Sequence, residues 1–283
     1  MKRMMGVVAG LWLAANAALA GTAAGTVTTT TGAIAPTHAI GYVVRDSRNV
    51  RSNAVELLLS DVALDAAPLK DELDRHVTAI NLPALNDRDY VLLWVRPDGA
   101  VSMNATYSRT MTQYLSDSAD GLKVELSTQT PARIEGRVYS PAPLKLLDGS
   151  TYSVDLQFAA DIVPALTGTP LPAGGGEAGK AFGKFMQALG KKHWAGIQAG
   201  LSPKTLPMYV RDYNTPAENL ASAVEILGAR LPLAKGKVAG GQLLNPTTAL
   251  LELEGERFGS RVLALVKMVK TGGAWQYEES VPV

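Results

Sequence analysis

The hydrophobic pattern changes period twice along this chain. From Ile40 to Ala159 apolar residues recur mainly at alternate positions, as in strands. From Ala178 to Leu231 they recur at every third or fourth position, as in helices, and beyond Pro232 alternation returns. In the helical stretch, Ala178, Phe182, Phe185, Met186 and Leu189 form one apolar face. Gly190 bends or breaks that helix before Trp194, Ile197 and Leu201 continue the stripe. Thr215-Pro216-Ala217-Glu218 predicts the next helix start: a threonine cap, a proline at the first helical position and a glutamate able to reach back. Leu220, Val224, Leu227 and Leu231 follow at helical spacing, and Gly228 and Pro232 mark the end. The last part predicts strands over 237–244, 247–254, 261–270 and 274–278, with Gly272-Gly273 as the final hairpin turn. The strand over 261–270 is apolar on both faces, so it is expected to be central.

The first part predicts strands over 40–45, 90–95, 100–107, 122–127, 133–139 and 151–159. Pro97-Asp98-Gly99 and Asp148-Gly149 supply turns. The stretch 54–60 reads two ways. Val55, Leu57 and Leu59 alternate as in a strand, while Asn53 with Glu56 fits a helix capping box; the strand is preferred. A short helix is expected over 67–76. Many short strands between polar turns suggest a β-sandwich. The expected fold is therefore α+β: a β-sandwich-like domain with a short helix over 38–163, then helices on an antiparallel sheet over 177–283. Pro164, Pro170, Pro172 and Gly174-Gly175-Gly176 make 164–176 the expected linker. Residues 21–37, mainly Gly, Ala and Thr without periodicity, are expected to be a flexible tail.

Composition narrows the function class. Lys2-Arg3, an apolar run from Met4 and the small-residue ending Ala18-Leu19-Ala20 before Gly21 read as a secretory signal peptide over 1–20. Cleavage after Ala20 would leave a periplasmic or secreted bacterial protein, with membrane contact only through an uncleaved signal. The chain has no cysteine, which excludes disulfides, thiol catalysis and a cysteine-linked lipid anchor. Its formal charge is +1, or −1 once Lys2 and Arg3 leave with the signal, so nucleic acid is not an expected partner. His38, His76 and His193 show no paired-ligand spacing, and no Walker loop, dinucleotide fingerprint or G-x-S-x-G is present. No cofactor and no metal is expected.

The helix pair, the capped helix at Thr215, the consecutive strands and the closing Gly272-Gly273-Ala274-Trp275-Gln276-Tyr277 segment resemble the nuclear-transport-factor-like fold, also called ketosteroid-isomerase-like, over 177–283. That resemblance implies helices packed on a curved antiparallel sheet around a cone-shaped cavity, and a homodimer through the sheet. Members include isomerases, hydrolases and proteins without activity, so the fold does not choose a function. Candidate pocket residues are Tyr209, Asp212 and Tyr213 between the helices, Glu252 on a strand able to face in or out, and Trp194 at a pocket mouth. A buried carboxylate beside a tyrosine would suit base catalysis with oxyanion support. The sequence supports an exported, non-catalytic binding or interaction protein of the cell envelope, taking an envelope protein or a small apolar ligand. The alternative is a hydrolase or isomerase using a carboxylate in the C-terminal cavity.

Overall fold

A computed structural model describes residues 21–282 apart from 31, 47, 48, 146–148, 212, 213, 232, 233, 258 and 259. The expected signal peptide lies outside these residues, as do Asp212 and Tyr213. The first part comprises β1 (Gly21–Thr29), β2 (Gly32–Ile34), β3 (His38–Asp46), β4 (Asn49–Ser60), α1 (Arg75–Ile80), β5 (Tyr90–Val95), β6 (Val101–Tyr107), β7 (Thr112–Asp117), β8 (Lys123–Gln129), β9 (Arg133–Tyr139), β10 (Leu144–Lys145) and β11 (Thr151–Val163). The second comprises β12 (Thr169–Pro170), α2 (Gly176–Gly190), α3 (Trp194–Gly200), α4 (Pro216–Arg230), β13 (Ala234–Asn245), β14 (Thr248–Arg257), β15 (Ser260–Thr271) and β16 (Ala274–Pro282).

The chain is of mixed α and β structure, and the strands of the first part belong to one continuous sheet rather than to the expected sandwich. Its order is β7-β6-β5-β4-β3-β1-β11-β9-β8, with β2 on β1 and β10 on β11. The pairings are antiparallel except for a short parallel one between β3 and β11 at Gly41 and Ile162. The sheet curls so far that the ring of Tyr114 on β7 lies 5.8 Å from that of Tyr152 on β11. The Tyr152 hydroxyl donates to the Leu115 carbonyl at 3.3 Å. Alternation alone cannot separate two stacked sheets from one curled sheet, because both bury every second residue. The shared interior holds Leu57, Leu59, Val91, Leu93, Met103, Ile134, Val154 and Leu156, all nearly inaccessible.

The central strands β3, β4 and β5 are covered on both faces. The segment after β4 folds back with Leu64, Leu69, Ala79, Leu82 and Leu85 and packs on Ile40, Tyr42, Leu58 and Leu92. This explains the apolar run from Val55 to Leu59, which only Glu56 interrupts. The helix expected over 67–76 is displaced: a single 3₁₀ turn spans Ala67–Leu69, and α1 starts only where the Asp74 carboxylate accepts from Val77 N at 3.1 Å.

Residues 21–37 are not a tail. β1 pairs with β11 along Thr22–Thr28 and with β3 at Gly21 and Thr22. The glycines that suggested flexibility instead permit close approach. At Gly25, φ is +95°, and a Cβ there would lie 2.0 Å from the Asp155 carbonyl oxygen. Gly25→Ala is expected to destabilise the protein by about 2 kcal/mol. Urea denaturation would check this; a change below about 0.5 kcal/mol would mean that β1 is not held in the sheet.

The second part is a five-stranded antiparallel sheet, β12-β13-β14-β15-β16, carrying the helices on one face. The cap at Thr215 is reciprocal: its hydroxyl accepts from Glu218 N at 3.3 Å, and Glu218 Oε2 accepts from Thr215 N at 2.7 Å. Gly272 and Gly273 turn the last hairpin with φ of +59° and +85°. Strand β15 is paired on both sides, as its two apolar faces required. The stretch expected to be a linker is ordered, since Thr169 and Pro170 pair with Leu243 and Gln242 and the chain enters α2 directly. Between helices and sheet, Phe182, Phe185, Leu189, Ile197, Leu201, Leu227, Leu251, Val266 and Tyr277 are in one buried cluster. Phe185 stacks on Tyr277 with ring centres 5.2 Å apart.

The two parts meet through the face of the second sheet that carries no helices. Lys267, 8 % exposed, donates to the Asp71 carbonyl at 2.9 Å and lies 3.2 Å from Glu278 and 3.5 Å from Glu279. Burial opposes the Lys267 charge, but the carboxylates of Glu279, Glu278 and Glu72 together outweigh it and hold its pKa above the usual value. Glu279 accepts from Leu73 N at 3.2 Å, and Arg45 reaches Glu252 at 3.4 Å. The Lys267 and Glu279 contacts clamp the short segment just before α1.

Candidate functional site

Strand register assembles the site. Tyr42 of β3 stands opposite Glu56 of β4, and Glu56 stands opposite Trp94 of β5. Three polar or aromatic side chains therefore lie side by side on the face covered by the segment after β4. Helix α1 then sets His76 over them. Arg75 fixes that helix: its guanidinium, almost fully buried, donates to the carbonyls of Val43, Val163 and Lys70, each at 3.3 Å.

Glu56 has no solvent exposure, and Oε1 accepts both the Tyr42 hydroxyl at 2.9 Å and His76 Nδ1 at 2.7 Å. Its second oxygen, Oε2, has no partner among the described residues. Burial raises the Tyr42 pKa well above its usual value, with Glu56 adding to the effect, so the phenol keeps its proton and remains a donor. The hydrogen bond to Glu56 raises the His76 pKa from 6.5, against an opposing contribution from burial. An imidazolium that gives Nδ1–H to Glu56 keeps Nε2–H as its other donor. The side chain of His76 is 40 % exposed, and its ring lies 5.8 Å from that of Trp94.

These groups border a pocket of about 440 Å³ between the two parts. Glu56, His76, Trp94 and Asp74 form one side, and Leu265 and Val281 of the second sheet form the other. An adjoining cleft of about 360 Å³ shares Arg45, Leu73 and Leu265 with it and reaches Glu252. The volume suits a small organic molecule, and the lining, which sets Arg45, Asp46, Asp74, Arg75 and His76 beside Trp94, Leu265 and Val281, suits one with both an apolar body and polar groups.

Of the residues singled out from sequence, Tyr209 and Trp194 lie in one cluster and Glu252 lies on the other face of the second sheet. Tyr209 is 2 % exposed in the cluster under the helices, where burial raises its pKa. Trp194 packs at the edge of the same cluster. Glu252 projects from the opposite face of the sheet to Leu251 and Leu253 and is ion-paired with Arg45. Asp212 and Tyr213 lie outside the described residues. Sequence reasoning passed over Tyr42, Glu56, His76 and Trp94. A signal was present: Glu56 is a lone carboxylate inside the apolar strand preferred over 54–60. Among the described residues no group of three or more His, Asp and Glu side chains is placed to hold a metal ion. Among them, too, no helix is long and apolar enough to cross a membrane. No protein-family model matches the chain, and no curated protein is significantly similar to it.

Proposed function

We propose that this is an exported, non-catalytic binding protein of the bacterial cell envelope that seats a small ligand in the pocket bordered by His76 and Trp94. One observation carries the reading: a histidine held by a fully buried glutamate, set beside an aromatic ring at the wall of a half-open pocket. Trp94, Leu265 and Val281 accept the apolar body of the ligand, and His76 Nε2–H donates to an acidic or carbonyl head. Export rests on the signal-like residues 1–20. The nuclear-transport-factor-like reading of 177–283 fits the order helix, helix, helix and then four long strands. A homodimer through the second sheet would use the part of its helix-free face that the first part leaves uncovered.

The test uses the Cε1–H resonances of the histidines. Hexanoate and phenylacetate, added to about 10 mM, a level that reports even weak fragment binding, are expected to move the His76 signal saturably. The shift is expected to vanish in Trp94→Ala or at a pH where His76 is neutral. No movement of His76 with any such probe, or equal movement of His38 and His193, would overturn the reading.

A further inference from the structure

A second surface lies away from this pocket. Lys180, Lys184 and Lys191 on and just after α2 border a groove of about 670 Å³ whose floor includes Phe185 and Trp275. All three lysines are exposed, and none has an ion-pair partner among the described residues. His193 also lines the groove, and Lys270 stands 5.8 Å from the Trp275 ring centre on the adjoining strand. Glu177 is the one carboxylate of the lining. Small side chains shape the groove. At Gly200 a Cβ would lie 2.6 Å from Phe185 Cδ2, and at Gly196 it would lie 2.9 Å from the Ala188 Cβ, so α3 approaches α2 closely only because both are glycines.

We infer that this groove docks an acidic, extended peptide segment of a partner protein. Charge complementarity selects the sign, since several unpaired cations face one carboxylate. Spacing selects a chain over a single anion. Along a helix, Lys180 and Lys184 are separated by about 6 Å and Lys184 and Lys191 by about 10 Å, so the three are spread over about 16 Å, a length that one phosphate does not span. An extended peptide advances about 3.3 Å per residue, so carboxylates two and then three residues apart match those steps. The aromatic floor selects a peptide over a lipid surface. Phe185 is buried and Trp275 half-buried, so neither protrudes as a bilayer anchor would.

The probe is a synthetic decapeptide with Asp or Glu at positions 3, 5 and 8 and Phe at position 6, measured by fluorescence anisotropy against the purified protein. Its Asn/Gln counterpart is the control. Micromolar binding is expected at about 50 mM salt, weakening at least tenfold at about 500 mM. Lys180→Gln with Lys184→Gln, both exposed and structurally undemanding, is expected to weaken binding at least tenfold. Lys123→Gln with Lys145→Gln, the same charge change on another face, should leave it intact. His76→Gln should also leave it intact, which separates this groove from the ligand pocket. Binding lost equally in both lysine pairs would mean nonspecific attraction and would overturn the inference. So would binding to phosphatidylglycerol vesicles but not to the peptide, or no binding of the acidic peptide at all.

Discussion

Glu56→Ala is expected to cost the protein about 3 kcal/mol, measured by urea denaturation at neutral pH. The substitution strands the Tyr42 hydroxyl, which is fully buried with Glu56 as its acceptor. It also removes the carboxylate that supports the His76 charge. Glu56→Gln keeps the volume and one acceptor oxygen, so its cost should be smaller and should depend on pH. The folded-state pKa of His76 lies above its ordinary 6.5, so the contribution of its charge is complete below 6.5 and fades as pH rises through the folded value. The gap between the parent protein and Glu56→Gln is therefore expected to be wider in mildly acid than in mildly alkaline solution. A gap that widens with rising pH would contradict the assignment of charge to this pair.

Phe185→Ala is expected to be comparably costly, at about 3–5 kcal/mol. Phe185 is 2 % exposed, stacks on Tyr277 and lies 6.2 Å from Phe182, ring centre to ring centre. Removing it leaves a hole beneath α2 that Gly200 is too small to fill. Phe185→Leu keeps most of the apolar volume and should cost clearly less. Paired denaturation curves would show the order; equal costs for the two variants would mean that the space beneath α2 is loosely filled.

The parts of the fold legible in the sequence were those with local causes. The Thr215 box, the Gly272-Gly273 turn and the two-faced β15 each carry their instruction within a few residues. The curled sheet was not legible, because closure depends on pairing between β1 and β11, more than a hundred residues apart in the chain. The same pairing makes Gly21–Thr29, which looks unstructured by composition, a strand of the sheet. The site was illegible for the same reason. Tyr42, Glu56 and Trp94 come from three strands, and only their register makes them neighbours. The facing of Glu252 stayed open because strand alternation allows two faces, and the choice between them depends on which face the helices cover.

In the proposed function a charged His76 is held by Glu56 at the pocket wall. Its most direct test is the pH titration of the His76 Cε1–H resonance in the parent protein and in Glu56→Gln. An inflection above 6.5 that falls in the variant is the expected result. An inflection below 6.5 in the parent protein, or one that Glu56→Gln leaves unmoved, would contradict it.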